Sequence, residues 1–237
     1  MKPLTVLLAS ATALGTLLAE PPAPYAFDTT KVSGWQGNPA DWSIAAGVEA
    51  SATEKAWTSV TPGTGLLLNG SAGKAHDLVS EFQHGDVEAE IEFVYPKGSN
   101  SGVYFQNRYE IQILDSFGKP DDKLGPGDLG GIYQRWDESR KPKGFEGTKP
   151  SRNAAKPPGA WQTLHVIFRA PKFAPDGTKT ANAKFELVEL NGIAIHRDVE
   201  VTGPTRGGLP TETAKGPIRL QGDHGPIAFR KLVFKPL

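Results

Sequence analysis

The segment Asp86-Val-Glu-Ala-Glu-Ile-Glu-Phe-Val94 alternates acidic and apolar side chains almost without a break. A strand sends successive side chains to opposite faces, so this pattern calls for an antiparallel sheet with one wet face and one face on a core. No stretch longer than two turns shows convincing helical periodicity. Short β-type runs, separated by Gly, Pro, Asn and Asp, fill the chain from Ala26 onward. Candidate strands are Trp42–Ala46, Val48–Ala50, Gly65–Leu68, Leu78–Glu81, Asp86–Val94, Gly102–Leu114, Gly130–Tyr133, Gln162–Arg169, Ala183–Leu190, Ile193–Val199, Ile218–Gln221 and Ile227–Lys235. Asn191-Gly192, set between Leu190 and Ile193, is a two-residue hairpin signal, because both residues accept positive φ. Many short strands with closely spaced turns predict an all-β sandwich of two antiparallel sheets.

The 26 basic and 26 acidic residues cancel, so no basic excess supports nucleic-acid binding. With no Cys, an exported domain of this size relies on its core rather than on disulfides. Residues 1–19 read as a signal peptide: Lys2 supplies the positive start, Leu4–Leu18 the apolar run, and the stretch around Ala19 the cleavage zone. That run is too short for a membrane span. The expected product is a secreted or periplasmic bacterial protein, free of the membrane once the leader is cut. Its layout is a Pro-rich leader at 20–26 and a single domain at 27–237, with a long loop at about 117–158. Ordered loops of that length are often functional, and this one is expected to wall a pocket.

Read with a period of two, the segment Asn100–Asp115 places Val103, Phe105, Ile111 and Ile113 on one face. Tyr104, Gln106, Arg108, Glu110 and Gln112 fall on the other. A phenol, two amides, a guanidinium and a carboxylate in a row suit a hydroxyl-rich ligand such as a sugar.

Several phrases together resemble one family. They are Val32-Ser-Gly-Trp35, Asn100-Ser-Gly-Val-Tyr104, Tyr109-Glu-Ile-Gln-Ile-Leu-Asp115, Gly131-Ile-Tyr133 and Pro157-Pro-Gly-Ala-Trp-Gln162. Asn191-Gly192 with Ile195-His196, Gly203-Pro-Thr-Arg-Gly207 and Gly216-Pro-Ile-Arg-Leu-Gln-Gly-Asp-His-Gly225 continue the series. The chain is similar to the 3-keto-disaccharide hydrolase domain from about Phe27 to its end. The resemblance implies a concanavalin A-like jelly roll of two curved antiparallel sheets with a ligand groove on the concave one. It also implies cleavage of glycosides already oxidised to a ketone at C3.

Such a ketone acidifies the hydrogen on C2, so a base can remove it and the group on C1 can leave. Glu110 is the candidate base, and His224, beside Asp223, the second acid–base group. Arg108 is expected to bind the developing enediolate or to hold Glu110 ionised. Glu110 and Asp115 also resemble the paired acids of laminarinase-type glycosidases, which leaves a retaining mechanism as an alternative. A non-catalytic carbohydrate-binding module is the other. Tyr104, Gln106, Gln112 and Gln221 are expected to contact ligand, with Tyr133 and Trp136 available to stack on a ring. No cofactor is required. His76, His84, His165 and His196 lack metal-ligand spacing, while Asp121, Asp122 and Asp128 leave calcium open. Oligomeric state is not legible.

Overall fold

The computed structural model describes residues 23–237, so the expected signal peptide at 1–19 lies outside the described residues. Two antiparallel sheets face each other in a concanavalin A-like jelly roll. The larger sheet has eight strands. Seven of them run in the order Ile193–Val201, Ala183–Leu190, Gln162–Arg169, Val87–Val94, Ala228–Pro236, Trp57–Leu68 and Ser43–Ala50. Tyr25–Ala26 pairs with Ala228–Pro236 as the eighth. The smaller sheet has five, in the order Trp35–Gly37, Leu78–His84, Gly216–Leu220, Asn100–Phe105 and Tyr109–Leu114. Among the described residues the only helical segments are two short 3-10 turns, and no helix is long and apolar enough to cross a membrane.

The alternating segment forms the strand Val87–Val94, with Val87, Ala89, Ile91 and Phe93 buried. Asn191 and Gly192 adopt φ of 54° and 77°, the two positive values that match a tight turn to strand twist. One apolar cluster joins the facing sheets. Phe105 and Tyr109 from the small sheet meet Phe168 of the large one at ring separations of 5.3 and 5.5 Å. Phe185 closes the group at 5.5 Å from Phe105. Such aromatic pairs add about 0.5–1.5 kcal/mol each beyond their buried area.

Gly102–Leu114 is not one strand, as the sequence pattern predicts, but a hairpin of Asn100–Phe105 and Tyr109–Leu114. Its turn runs through Gln106 and Asn107, at φ 54° and 56°, closed by the Arg108 amide donating to the Phe105 carbonyl (3.0 Å). Neither Gln nor Asn at these positions is the Asn-Gly pair that marks such a turn. The expected strand Gly130–Tyr133 is reduced to isolated bridges at Ile132.

The long loop docks along the outer edge of Tyr109–Leu114. Gln112 exchanges backbone hydrogen bonds with Gly130 and Gly131 (2.8 and 2.9 Å), and the Tyr133 amide donates to the Glu110 carbonyl (3.0 Å). The sheet edge is thereby covered, and Tyr133 is carried to the open face of the small sheet.

Candidate active site

Pairing across the hairpin decides which side chains share a face. Tyr104 lies opposite Glu110, and Gly102 opposite Gln112. Arg219, on the neighbouring strand, lies opposite Tyr104. Directly opposed residues point the same way, so these groups look out from the small sheet while Val103, Phe105, Tyr109 and Ile111 look into the core. A cleft of about 270 Å³ opens above them.

Glu110 forms its floor and is 1% exposed. Neither carboxylate oxygen has a hydrogen-bond partner. The room for them comes from Gly102, where a Cβ would stand 2.1 Å from Oε1 of Glu110. Burial pushes the Glu110 carboxyl up to about 8. The Tyr104 phenol and the Arg219 guanidinium oppose that rise, and Asp77 adds to it. Although the phenol is close enough to favour the charged carboxylate, it makes no hydrogen bond to it in proper geometry. It donates instead to the Arg206 carbonyl (3.3 Å). Burial, followed by the nearby Glu110 charge, holds the Tyr104 phenol well above the usual range and therefore neutral.

Arg219 sits over the Tyr104 ring, with its guanidinium carbon 3.6 Å from the ring centre. It donates to the Gly207 carbonyl (2.9 Å) and approaches Asp77 at 3.5 Å. The segment carrying Arg206 and Gly207 is tied to the turn end of the hairpin. The Thr205 hydroxyl donates to the Arg108 carbonyl (3.0 Å) and accepts from the Glu110 amide (3.1 Å), while the Leu209 amide donates to the Asn107 carbonyl (2.9 Å). His224 reaches the cleft from the opposite, open end. There the Ser99 hydroxyl donates to the Pro226 carbonyl (2.6 Å) and the Gln221 amide to the Gly102 carbonyl (3.0 Å). Nδ1 of His224 is hydrogen-bonded to Asp223. Along the cleft the order is thus Arg206, then Tyr104 with Glu110, then His224.

Glu110, His224, Tyr104, Gln112, Tyr133 and Gln221 all line this one cleft. Gln106 and Arg108 do not, because they belong to the turn and point away from the open face. The Gln106 amide donates to the carbonyls of His84 (3.2 Å) and Ala214 (3.1 Å). Arg108 donates to the carbonyls of Thr211 (2.5 Å) and Gln106 (2.6 Å), so it cannot serve Glu110 or an enediolate. Asp115 is also displaced. Its carboxylate, 1% exposed, pairs with Lys97 (2.9 Å) and accepts from the Gly98 amide (2.9 Å), which anchors a turn beyond the strand. No bulge brings it back beside Glu110, which is the one carboxylate lining the cleft among the described residues. Trp136 lines a neighbouring pocket, with its indole NH donating to Glu138 (2.7 Å).

Three cleft residues were not among the expected site residues: Asn100, which shares the polar-face parity of Tyr104 and Glu110, and Arg206 and Gly207, which lie outside the hairpin. Both Arg206 and Arg219 sit inside the phrases that carried the family resemblance, which was the available signal. Oδ1 of Asn100 and Oε1 of Gln112 are buried without partners, like the Glu110 oxygens. The guanidinium of Arg206 has no hydrogen-bond or ion-pair partner among the described residues. It stacks on Trp136 at 4.0 Å. The site therefore offers unspent donors and acceptors around a carboxyl that burial holds above its ordinary range. No group of three or more metal-ligating side chains is gathered among the described residues. Asp128 is instead engaged by Lys119 (2.7 Å), Asp122 by Lys123 (3.3 Å), and Asp121 accepts from the Asn153 amide (2.7 Å).

A jelly-roll sandwich with this polar, carboxylate-floored cleft belongs to the carbohydrate-active class of that architecture. Three solved structures of proposed glycosyl hydrolases from Parabacteroides distasonis ATCC 8503 share the fold. One has a TM-score of 0.63 at 23% identity, covering 94% of this chain and 95% of that one. A second has a TM-score of 0.54 at 21% identity, over 90% and 100% of the two chains. The third has 0.51 at 13% identity, over 89% and 100%. No curated protein matches. The chain belongs to the family of 3-keto-alpha-glucoside-1,2-lyase-like domains, whose model matches residues 24–235.

Proposed function

We propose that the protein cleaves 3-keto-glycosides by elimination across C1 and C2, with Glu110 as the base. The observation that carries this reading is the Glu110 carboxyl, buried at the cleft floor with both oxygens unpartnered, a burial that pushes its pKa up to about 8. A base poised near neutrality suits removal of a carbon-bound proton.

Glu110 takes the proton from C2, and the electron pair moves onto the C3 oxygen as an enediolate. The free guanidinium of Arg206 receives that charge, a contribution of about 3–4 kcal/mol for a well-placed donor. The enediolate then collapses. The C1–O bond breaks, its electron pair goes to the leaving oxygen, and His224 supplies that oxygen with a proton. Water added across C1=C2 completes net hydrolysis. Asn100, Gln112 and Gln221 hold the ring hydroxyls, and Tyr133 lines the ring's edge. The family description, a 1,2-lyase of 3-keto-alpha-glucosides, fits this bond change. The retaining two-carboxylate alternative has no second acid in the cleft to work with. Export through the leader at 1–19 would put the enzyme in the secreted or periplasmic space.

The test is Glu110→Gln assayed for release of sugar from a 3-keto-disaccharide. The expected loss is about 10²–10⁴-fold with thermal unfolding still cooperative. Full activity in the folded variant removes Glu110 from the chemistry. A binding-only module, by contrast, takes up glycans saturably and releases nothing from any oxidised substrate.

A further inference from the structure

The cleft above Glu110 does not end at His224. A larger cavity of about 640 Å³ adjoins it, lined by Asn38, Lys74, His76, Asp77 and Asp223. The wall between the two is the hydrogen-bonded pair Asp223–His224, since His224 lines the central cleft and Asp223 the outer cavity. Asp77 ties them from below, accepting from the Gly222 amide (2.9 Å) and facing Arg219.

A proton donor for a leaving oxygen must stand where the reacting ring ends and the leaving group begins. His224 stands at such a junction. We infer that the cavity beyond Asp223 is the leaving-group subsite, and that it takes a second, hydroxyl-rich sugar ring. This rests on the catalytic reading above. The lining mixes an amide, an ammonium, an imidazole and two carboxylates, so it offers both donors and acceptors. Sugar hydroxyls do both. An anionic leaving group would meet Asp77 and Asp223, and an apolar one would make no use of the unpaired Lys74 ammonium. The cavity is also more than twice the volume of the central cleft, which fits a unit larger than an alcohol. Lys74 makes no hydrogen bond or ion pair among the described residues, and His76 is exposed with only Asp41 as side-chain partner. Both are available to a ligand.

The experiment compares two substrates, a 3-keto-disaccharide and methyl 3-keto-α-glucoside, whose leaving group is methanol. The variants are Lys74→Ala and the double variant Lys74→Ala/His76→Ala. The double variant is expected to lose about tenfold in kcat/KM on the disaccharide, mainly through KM, and less than about twofold on the methyl glycoside. Lys74→Ala, which breaks no hydrogen bond or ion pair among the described residues, is expected to show a smaller loss of the same selectivity. Equal losses on both substrates, or no loss on the disaccharide, overturn the subsite assignment and leave the catalytic reading intact. A disaccharide-selective loss in Trp136→Ala instead would move the leaving group to the other end of the cleft and also overturn it. Failure of the unaltered protein to cleave either substrate overturns the catalytic reading and the subsite together.

Discussion

Glu110 meets two opposed demands, since a base must be ionised to work and a carboxyl this deeply buried resists ionisation. With its pKa near 8, about one-tenth is ionised at pH 7. Activity under subsaturating substrate is therefore expected to rise roughly tenfold per pH unit below about 7 and to level off above about 8. A rate profile flat from pH 5 to 8 would contradict this. Gly102 is the second residue on which the site depends. Because a Cβ there would overlap Oε1 of Glu110, Gly102→Ala is expected to displace the carboxylate and cut turnover as severely as Glu110→Gln. Folding should survive, since Gly102 sits in ordinary strand geometry and only a side chain must move. Retained turnover in Gly102→Ala, with the fold intact, would show that the carboxylate need not occupy that hollow.

At the scale of the element, the site hairpin explains both what the sequence made legible and what it hid. Its pairs all centre on Asn107: Asn100 lies opposite Leu114, Tyr104 opposite Glu110, Phe105 opposite Tyr109. A turn centred on one residue leaves odd and even positions on their own faces in both strands. Period-two reading thus found Tyr104, Glu110 and Gln112 even though it took the hairpin for a single strand. It failed only inside the turn, where Gln106 and Arg108 leave the pleat. No Gly marks that turn, because its strain is offset by side-chain hydrogen bonds from Gln106 and Arg108 to backbone carbonyls. Arg206 and Arg219 were hidden for a different reason. They come from segments far along the chain, and local periodicity carries no information about which segments meet. Arg108→Ala is expected to destabilise the fold by about 1–3 kcal/mol by leaving the Thr211 and Gln106 carbonyls short of a donor. Denaturant unfolding checks this, and an unchanged midpoint would show the turn is held otherwise.

Across the whole molecule, two buried titratable groups shape stability in opposite directions. The Glu110 carboxyl lies above its unfolded value of 4.5, so the folded state keeps a proton that the unfolded state has lost. Stability from this group is full below about pH 4.5 and is lost as pH rises through about 8, by an amount of up to about 5 kcal/mol. His84 is the reverse case. Burial lowers it to about 4, and its Nε2 accepts the Gln106 amide at the hairpin turn (3.1 Å). Its contribution is present above about pH 6.5 and is lost as pH falls towards 4. Glu110→Gln is therefore expected to unfold at a higher temperature than the unaltered protein at pH 9, with the gap closing towards pH 5. A gap independent of pH would show that Glu110 is not buried as a neutral acid.

The catalytic claim is tested most directly by incubating a 3-keto-disaccharide in deuterated water with the unaltered protein and with Glu110→Gln, and following deuterium at C2. The unaltered protein should release sugar carrying deuterium at C2, and Glu110→Gln should neither release sugar nor exchange that position. Exchange and release at undiminished rates in Glu110→Gln would contradict the account.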